Sequence, residues 1–297
     1  MLVRLFSVNF RLMSLVFGLL MFSGCEPDET REYWGNLYFA AGSYLGQLDL
    51  RDGSVSVLAN VGDAYIREID AFGEDQLLLT VFGPVNRKDT FRLMQFKLDT
   101  YGLVTLLNGR HGRYLPVPEA LIFDDGAHLR VRVYGDGPME ELTIIRHRYG
   151  SRVHVMQISE TKFLYSVDPD GAIHSFDVDT RESRALPGLS KECQLDGALW
   201  IDVRDALLCK REDESPSYSL VGLDGSARGS LAIPDAGPYR AMAYLADQDA
   251  LVLTEAWNTV VSDSVRYAIW IYDLGSDRMM RLVEDQYLGP SVVYRSH

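Results

Sequence analysis

The sequence predicts an all-β protein: a six-bladed β-propeller closed by the C-terminal strand and preceded by an N-terminal signal helix. Three observations carry this reading. Pairs of apolar strands separated by Asp, Asn or Gly turns recur along the chain, the signature of antiparallel hairpins. Two kinds of hairpin alternate, so that each unit holds four strands and repeats at roughly 40–50 residues. Beyond residue 25, no stretch of helical period with caps is present, so helical content near zero is expected there. A four-stranded sheet has two apolar faces, and a neighbouring blade on each side covers both. Closing the ring leaves no face exposed.

The first segment is an export signal. Arg4 and Arg11 precede the apolar run from Leu12 to Phe22, broken only by Ser14 and Gly18. As a helix that run is about 16 Å long, too short for a hydrocarbon core of about 30 Å. A basic flank, a short apolar run and small residues belong to a cleaved leader. Phe22-Ser23-Gly24-Cys25 resembles the lipobox of bacterial lipoproteins, whose usual form is Leu, a small residue, Gly or Ala, then Cys. Phe22 stands where leucine is commoner. The resemblance implies that Cys25 is lipidated and becomes the first residue of the mature chain, anchoring it to a membrane. An ordinary cleaved signal is the competing reading. Lipoproteins held at an inner membrane usually carry Asp after the cysteine; Glu26 here points to the periplasmic side of an outer membrane. Glu26–Glu32 is polar and contains Pro27, as a tether would. The expected organisation is a signal peptide over 1–24, a tether over 25–35 and a propeller over 36–297.

The propeller repeat follows in order. The first kind of hairpin appears at 67–83, 120–135, 153–167, 198–211 and 241–257. The second appears at 46–58, 94–107, 173–186, 218–233 and 269–283, with a weaker copy at 142–155. The last apolar residues before the turns are Leu50, Leu98, Ile145, Val178, Leu223 and Leu274, with one short interval between Ile145 and Val178. Blade one has three strands in residues 36–61, and Pro290–Tyr294 is a strand with no neighbour in sequence. It is expected to supply the innermost strand of blade one and shut the ring. A pair of β-sandwiches, or a ring of five or seven blades, competes with this arrangement. Across almost the whole mature chain the pattern resembles bacterial propellers of the WD40 and TolB-like kind, in architecture alone; the Trp-Asp ends of WD repeats are absent.

Charge excludes one class of partner. The chain carries −13, and removing residues 1–24 takes away Arg4 and Arg11 but no acid. Nucleic acid is therefore not an expected partner, since phosphate binding needs a positive field. No phosphate loop, nucleophile elbow, His-Glu-x-x-His or CxxC motif is present, and no cofactor or metal is expected. Asp168-Pro169-Asp170-Gly171 reads as a turn rather than a calcium loop.

Residues 110–154 stand out against the acidic remainder. Seven arginines outnumber six acids there, and His111, His128, His147 and His154 join them. Arg130 and Arg132 alternate on one strand face and need partners, for which Asp124, Asp125, Glu140 and Glu141 are the candidates. The stretch reads either as an anion or glycan site, because arginine grips carboxylate and phosphate bidentately, or as a paired structural network. Gly83–Asp89, Asn108–Pro118 and Glu255–Asp263 read as long loops, where a rigid ring places recognition. Arg110, His111, Arg113, Tyr114, His147, Arg148 and Trp257 are the candidate binding residues; Trp200 and Trp270 read as core. A Cys193–Cys209 disulfide is allowed in an exported chain. With a hairpin turn at Asp202–Asp205, however, Cys209 faces Ala198, so a bridge requires residues 190–194 to fold back. Two separate buried thiols is the other reading. Together these features suggest a membrane-anchored, non-catalytic scaffold for a protein partner in the cell envelope. The alternative is a propeller enzyme or sensor acting on a glycan or other anionic small molecule, with His111, Arg113, His147 or Arg148 near the axis.

Overall fold

Short strands with alternating burial assemble into six four-stranded antiparallel sheets. The computed structural model describes residues 33–86, 88–134, 138–210, 217–233, 239–258, 265–285 and 288–295. Blade one is ordered β24 (Leu288–Arg295), β1 (Asn36–Ala41), β2 (Tyr44–Asp49) and β3 (Val55–Asn60). Blade two holds β4 (Tyr65–Ala71), β5 (Gln76–Val85), β6 (Lys88–Lys97) and β7 (Leu103–Asn108). Blade three holds β8 (Arg110–Leu115), β9 (Ala120–Asp124), β10 (His128–Val133) and β11 (Glu140–Arg146). Blade four holds β12 (Val153–Gln157), β13 (Lys162–Val167), β14 (His174–Asp177) and β15 (Glu182–Ala185). Blade five holds β16 (Leu199–Ile201), β17 (Ala206–Lys210), β18 (Ser217–Val221) and β19 (Ala227–Ala232). Blade six holds β20 (Tyr239–Leu245), β21 (Ala250–Asn258), β22 (Val265–Asp273) and β23 (Arg278–Asp285).

The first strand of each blade meets its counterpart in the next: β24 with β4, β4 with β8, β8 with β12, β12 with β16, β16 with β20, and β20 with β24. That succession closes on itself, so the fold is a ring. The closure is the expected one. β24 pairs antiparallel with β1, Asn36 opposite Arg295 and Leu37 opposite Tyr294. The Trp34 amide donates to Gln248 Oε1 (3.1 Å), and Gln248 Nε2 donates back to the Trp34 carbonyl (2.8 Å), tying the start of blade one to blade six.

The core lies between blades because successive strand residues point to opposite faces. Leu77, Leu79 and Val81 pack towards blade one with Tyr38 and Leu45, while Leu78, with Leu93 of its own blade, packs against Leu121 and Phe123 of blade three. Ala120 and Ile122, one residue out of phase with Leu121 and Phe123, turn instead to Val155, Phe163 and Phe176 of blade four. Trp200 packs between blades four and five, and Trp270 between five and six.

Three details differ from the sequence reading. Asn108–Pro118 is not a loop: it contains β8, the inner strand of blade three. The 120–135 hairpin is therefore the middle of its blade, and residues 142–155 cross from blade three to blade four. Gly83–Asp89 belongs to the long β5–β6 hairpin, paired from Gly83↔Thr90 to Val85↔Lys88. Helix is present beyond residue 25: α1 (Pro187–Glu192) and 3₁₀ turns at Asp202–Arg204 and Ala246–Gln248. Pro187 starts α1, its missing N–H costing nothing in the first turn.

Candidate functional site

In a blade, the connections between its second and third strands leave the same end as the links between blades. At that end of blades three and four lie the turn after β9, the link 147–152 and the turn 168–171. Most of the candidate residues come from this neighbourhood, and the structure divides them into three groups.

The first group joins the inner strands of blades two and three. Glu68 on β4 accepts hydrogen bonds from His111 Nδ1 (2.6 Å) and Arg113 Nη1 (3.5 Å) on the adjacent inner strand β8. The Tyr114 amide donates to Asp70 Oδ2 (3.3 Å). Burial alone would raise the Glu68 carboxyl, but the His111 hydrogen bond and the Arg113 charge outweigh it and hold it down at about 2. Asp70 is different: burial raises its carboxyl against the opposing pull of Arg113. Local backbone makes this arrangement. His111 sits at φ 54°, and the β8–β9 register shifts between Arg110 and Arg113. The irregularity turns His111 and Arg113 towards β4. Gly112 lies where any Cβ would press on Leu93 and Leu78, at 2.8 and 2.9 Å, so blade two approaches the strand closely. Tyr114 is half-buried and packs on Phe72, ring centroids 4.5 Å apart, so it is not a free aromatic anchor.

The second group is a buried network. Asp124 is fully buried and receives Arg110 Nε (2.6 Å), His147 Nε2 (3.1 Å) and the Gly126 amide (2.6 Å). Arg110 also donates to the Ser151 carbonyl (3.0 Å). A buried carboxylate with these three hydrogen-bond partners is satisfied, and the Arg110 guanidinium is neutralised within the protein. Arg110 and His147 thus tie β8 and the link 147–152 to β9 through one carboxylate.

The third group lies outside that network. Arg130 pairs with Asp125 and Glu141 (2.5 Å each), and Arg132 with Glu141 (2.8 Å). Burial would raise Asp125, but two backbone amides and Arg130 hold it at about 2. Of the four acids offered as partners, Asp124 and Glu140 are engaged elsewhere, Glu140 by Arg181 (2.6 Å). Arg148 is exposed, on the link 147–152. With Tyr149, Arg152, Asp168 and Pro169 it lines an open cleft of about 480 Å³. Trp257 lies on β21 opposite Arg266, its side chain outside the described residues. Cys25 also lies outside them. Among the described residues no helix is long and apolar enough to cross a membrane, and no cluster of His, Cys, Asp or Glu has the makings of a metal site.

Cys193 and Cys209 are bonded, with Cα atoms 5.4 Å apart, in the core between blades four and five. Sequence reasoning missed Glu68 and Asp70. Their signal was available: two acids alternate with Ile69 on a strand that begins a blade, where the face they share meets the inner strand of the next blade.

With this geometry in hand, likeness to known proteins is informative about architecture. No known sequence family matches the chain, and no curated protein is similar to it in sequence. Solved structures do resemble it. Putative TolB from Agrobacterium tumefaciens superposes with a TM-score of 0.59 at 13% identity, covering 89% of this chain and 98% of that one. TolB from Acinetobacter baumannii gives 0.58 at 10% identity, covering 88% and 67%. The fold is a TolB-like propeller. A protein of unknown function from Bacteroides caccae is similar to the same degree, with a TM-score of 0.57 at 8% identity over 87% of this chain and 98% of its own.

Proposed function

We propose that the protein is a membrane-anchored envelope lipoprotein whose propeller is a non-catalytic binding module for protein partners. The observation that carries this reading is the fate of the charged candidates. Glu68 takes up His111 and Arg113, and Asp124 takes up Arg110 and His147. Groups spent on one another build a rigid ring rather than a reactive pocket. Recognition then falls to the loops that the ring displays. Export is supported by the lipobox resemblance at Cys25 and by the Cys193–Cys209 bond, since disulfides persist in oxidising compartments. The TolB-like fold is compatible with protein binding.

The test is crosslinking in cells followed by purification of the anchored protein at native abundance. A specific partner should co-purify; recovery of the monomer alone overturns the reading. For the anchor, Cys25→Ala should release soluble or unprocessed protein, and unchanged membrane retention of mature protein refutes lipidation. A second reading, an enzyme or sensor for a glycan or anionic small molecule, draws on the meeting of His111 and Arg113 with Glu68 between two inner strands. Stabilisation of the protein by an oligosaccharide, abolished by His111→Ala, would favour it.

A further inference from the structure

We propose that the cleft between the link 147–152 and the turn 168–171 docks an acidic, extended peptide segment of a protein partner. The inference rests on the binding-module reading and names the chemistry of what is bound.

Charge is the first argument. In the basic stretch, Arg110, Arg113, Arg130 and Arg132 all have carboxylate partners. Arg146, Arg148 and Arg152 are exposed and form no ion pair among the described residues. Two of these unneutralised guanidinium groups, Arg148 and Arg152, line the cleft on a chain of net charge −13. Each can grip a carboxylate with two parallel hydrogen bonds.

Rigidity is the second. The link is pinned from beneath at several points. His147 Nε2 reaches Asp124, the His147 amide donates to the Ala127 carbonyl (2.9 Å), and Arg110 holds the Ser151 carbonyl. Arg152 is fixed through its own carbonyl, which accepts from the Asp168 amide (3.0 Å). Tyr149 leans on Gly126, where a Cβ would stand 3.3 Å from the ring, yet its side is open to solvent at 85% exposure. A loop fixed before binding loses little entropy when a ligand arrives. The buried network around Asp124 thus acquires a purpose: it sets the platform on which Arg148, Tyr149 and Arg152 stand.

Shape and the opposite wall select the occupant. The cleft is open, so it does not enclose a small anion with convergent donors. On the facing turn Asp168 is half-buried and lies 3.8 Å from His154 Nε2, while Asp170 is exposed; these carboxylates would repel a continuous anionic surface such as a bilayer. A narrow acidic strand avoids them by lying against the arginine wall, with its amides turned towards Asp168 and an apolar side chain on Tyr149.

The experiment uses the full chain in detergent and fluorescence anisotropy with a labelled (Glu-Ala)₅ peptide. Saturable binding is expected, weakened about tenfold or more by Arg148→Ala with Arg152→Ala. It should survive in Arg51→Ala, an exposed arginine of blade one, and (Lys-Ala)₅ should not bind. Circular dichroism and melting temperature should be unchanged in the double variant. No saturable binding, or equal binding by the double variant, overturns the proposal. So does arginine-dependent binding to phosphatidylglycerol vesicles in preference to the peptide. Crosslinking separates this proposal from the reading beneath it. If wild type and the double variant recover the same partner equally, the cleft is excluded and the binding module stands. If wild type recovers no partner, the module reading falls.

Discussion

Cys193 is bonded to Cys209, although continuing the register Leu199↔Leu208 past its end sets Cys209 opposite Ala198. The reconciliation is α1. Its six residues lie between blades four and five, and Cys193 stands at its C-cap, outside the β16–β17 ladder. Leu189 of the helix and Leu195 beyond it are buried beside the bond with Leu164 and Leu207, so the bridge fastens the link between blades to the sheet.

Removing that bridge should therefore loosen one region measurably. Cys193→Ala with Cys209→Ala is expected to cost about 2–4 kcal/mol, from the loop entropy restored to the unfolded chain. Urea unfolding of oxidised, reduced and double-variant protein checks it. Equal stability of all three would show the bridge contributes nothing.

Asp124 supports a different prediction. Asp124→Ala removes the acceptor of Arg110 and His147 at a buried site and should cost about 3–5 kcal/mol, because two donors lose their partner. Hydrogen exchange across residues 147–152 should rise in parallel. Exchange unchanged from wild type would mean that Asp124 does not hold the link.

The third prediction concerns pH. The folded Glu68 carboxyl lies at about 2, below its ordinary 4.5. A carboxyl lowered on folding contributes its full stability above its unfolded value and loses it as pH falls towards the folded one. Wild type should exceed Glu68→Gln by about 1–3 kcal/mol at neutral pH. The gap should narrow between about pH 4.5 and 2. Chemical denaturation of both proteins across that range reads the difference, and a gap independent of pH would remove Glu68 as its source.

Closure can be graded. Val293 on β24 packs against the core between blades one and two, so Val293→Ala should cost about 1–3 kcal/mol. Deleting residues 288–297 strips β1 of its partner and exposes the flanks of blades two and six. Cooperative unfolding should then be lost, with aggregation in its place. A truncated chain that melts like wild type would mean the ring does not depend on its last strand.

Some of this was legible before any coordinates. β24 was visible because blade one lacked a fourth strand and an apolar segment remained at the end of the chain. β8 was hidden. Its residues Arg110, His111 and Arg113 face polar surroundings, and the φ 54° at His111 breaks the alternation by which strands are recognised. Helix α1 is too short for a 3.6-residue period to register. The arginines were legible as a group that needed partners. Which acid each would take was not: Asp125 and Glu141 serve Arg130 and Arg132, while Asp124, adjacent in sequence to Asp125, points the other way.

By itself the sequence determined the all-β class, the strand alternation that covers both faces of each sheet, and the closing role of the tail, while six blades rather than five or seven was decided by the tertiary structure. These follow from hydrophobic periodicity, a local property written residue by residue. Only the tertiary structure decided which charges meet. His111 reaches Glu68 across 43 positions of chain and Arg110 reaches Ser151 across 41, because the ring sets successive blades side by side. Sequence separation carries no record of that distance, and the same ring left Arg148 and Arg152 facing outward.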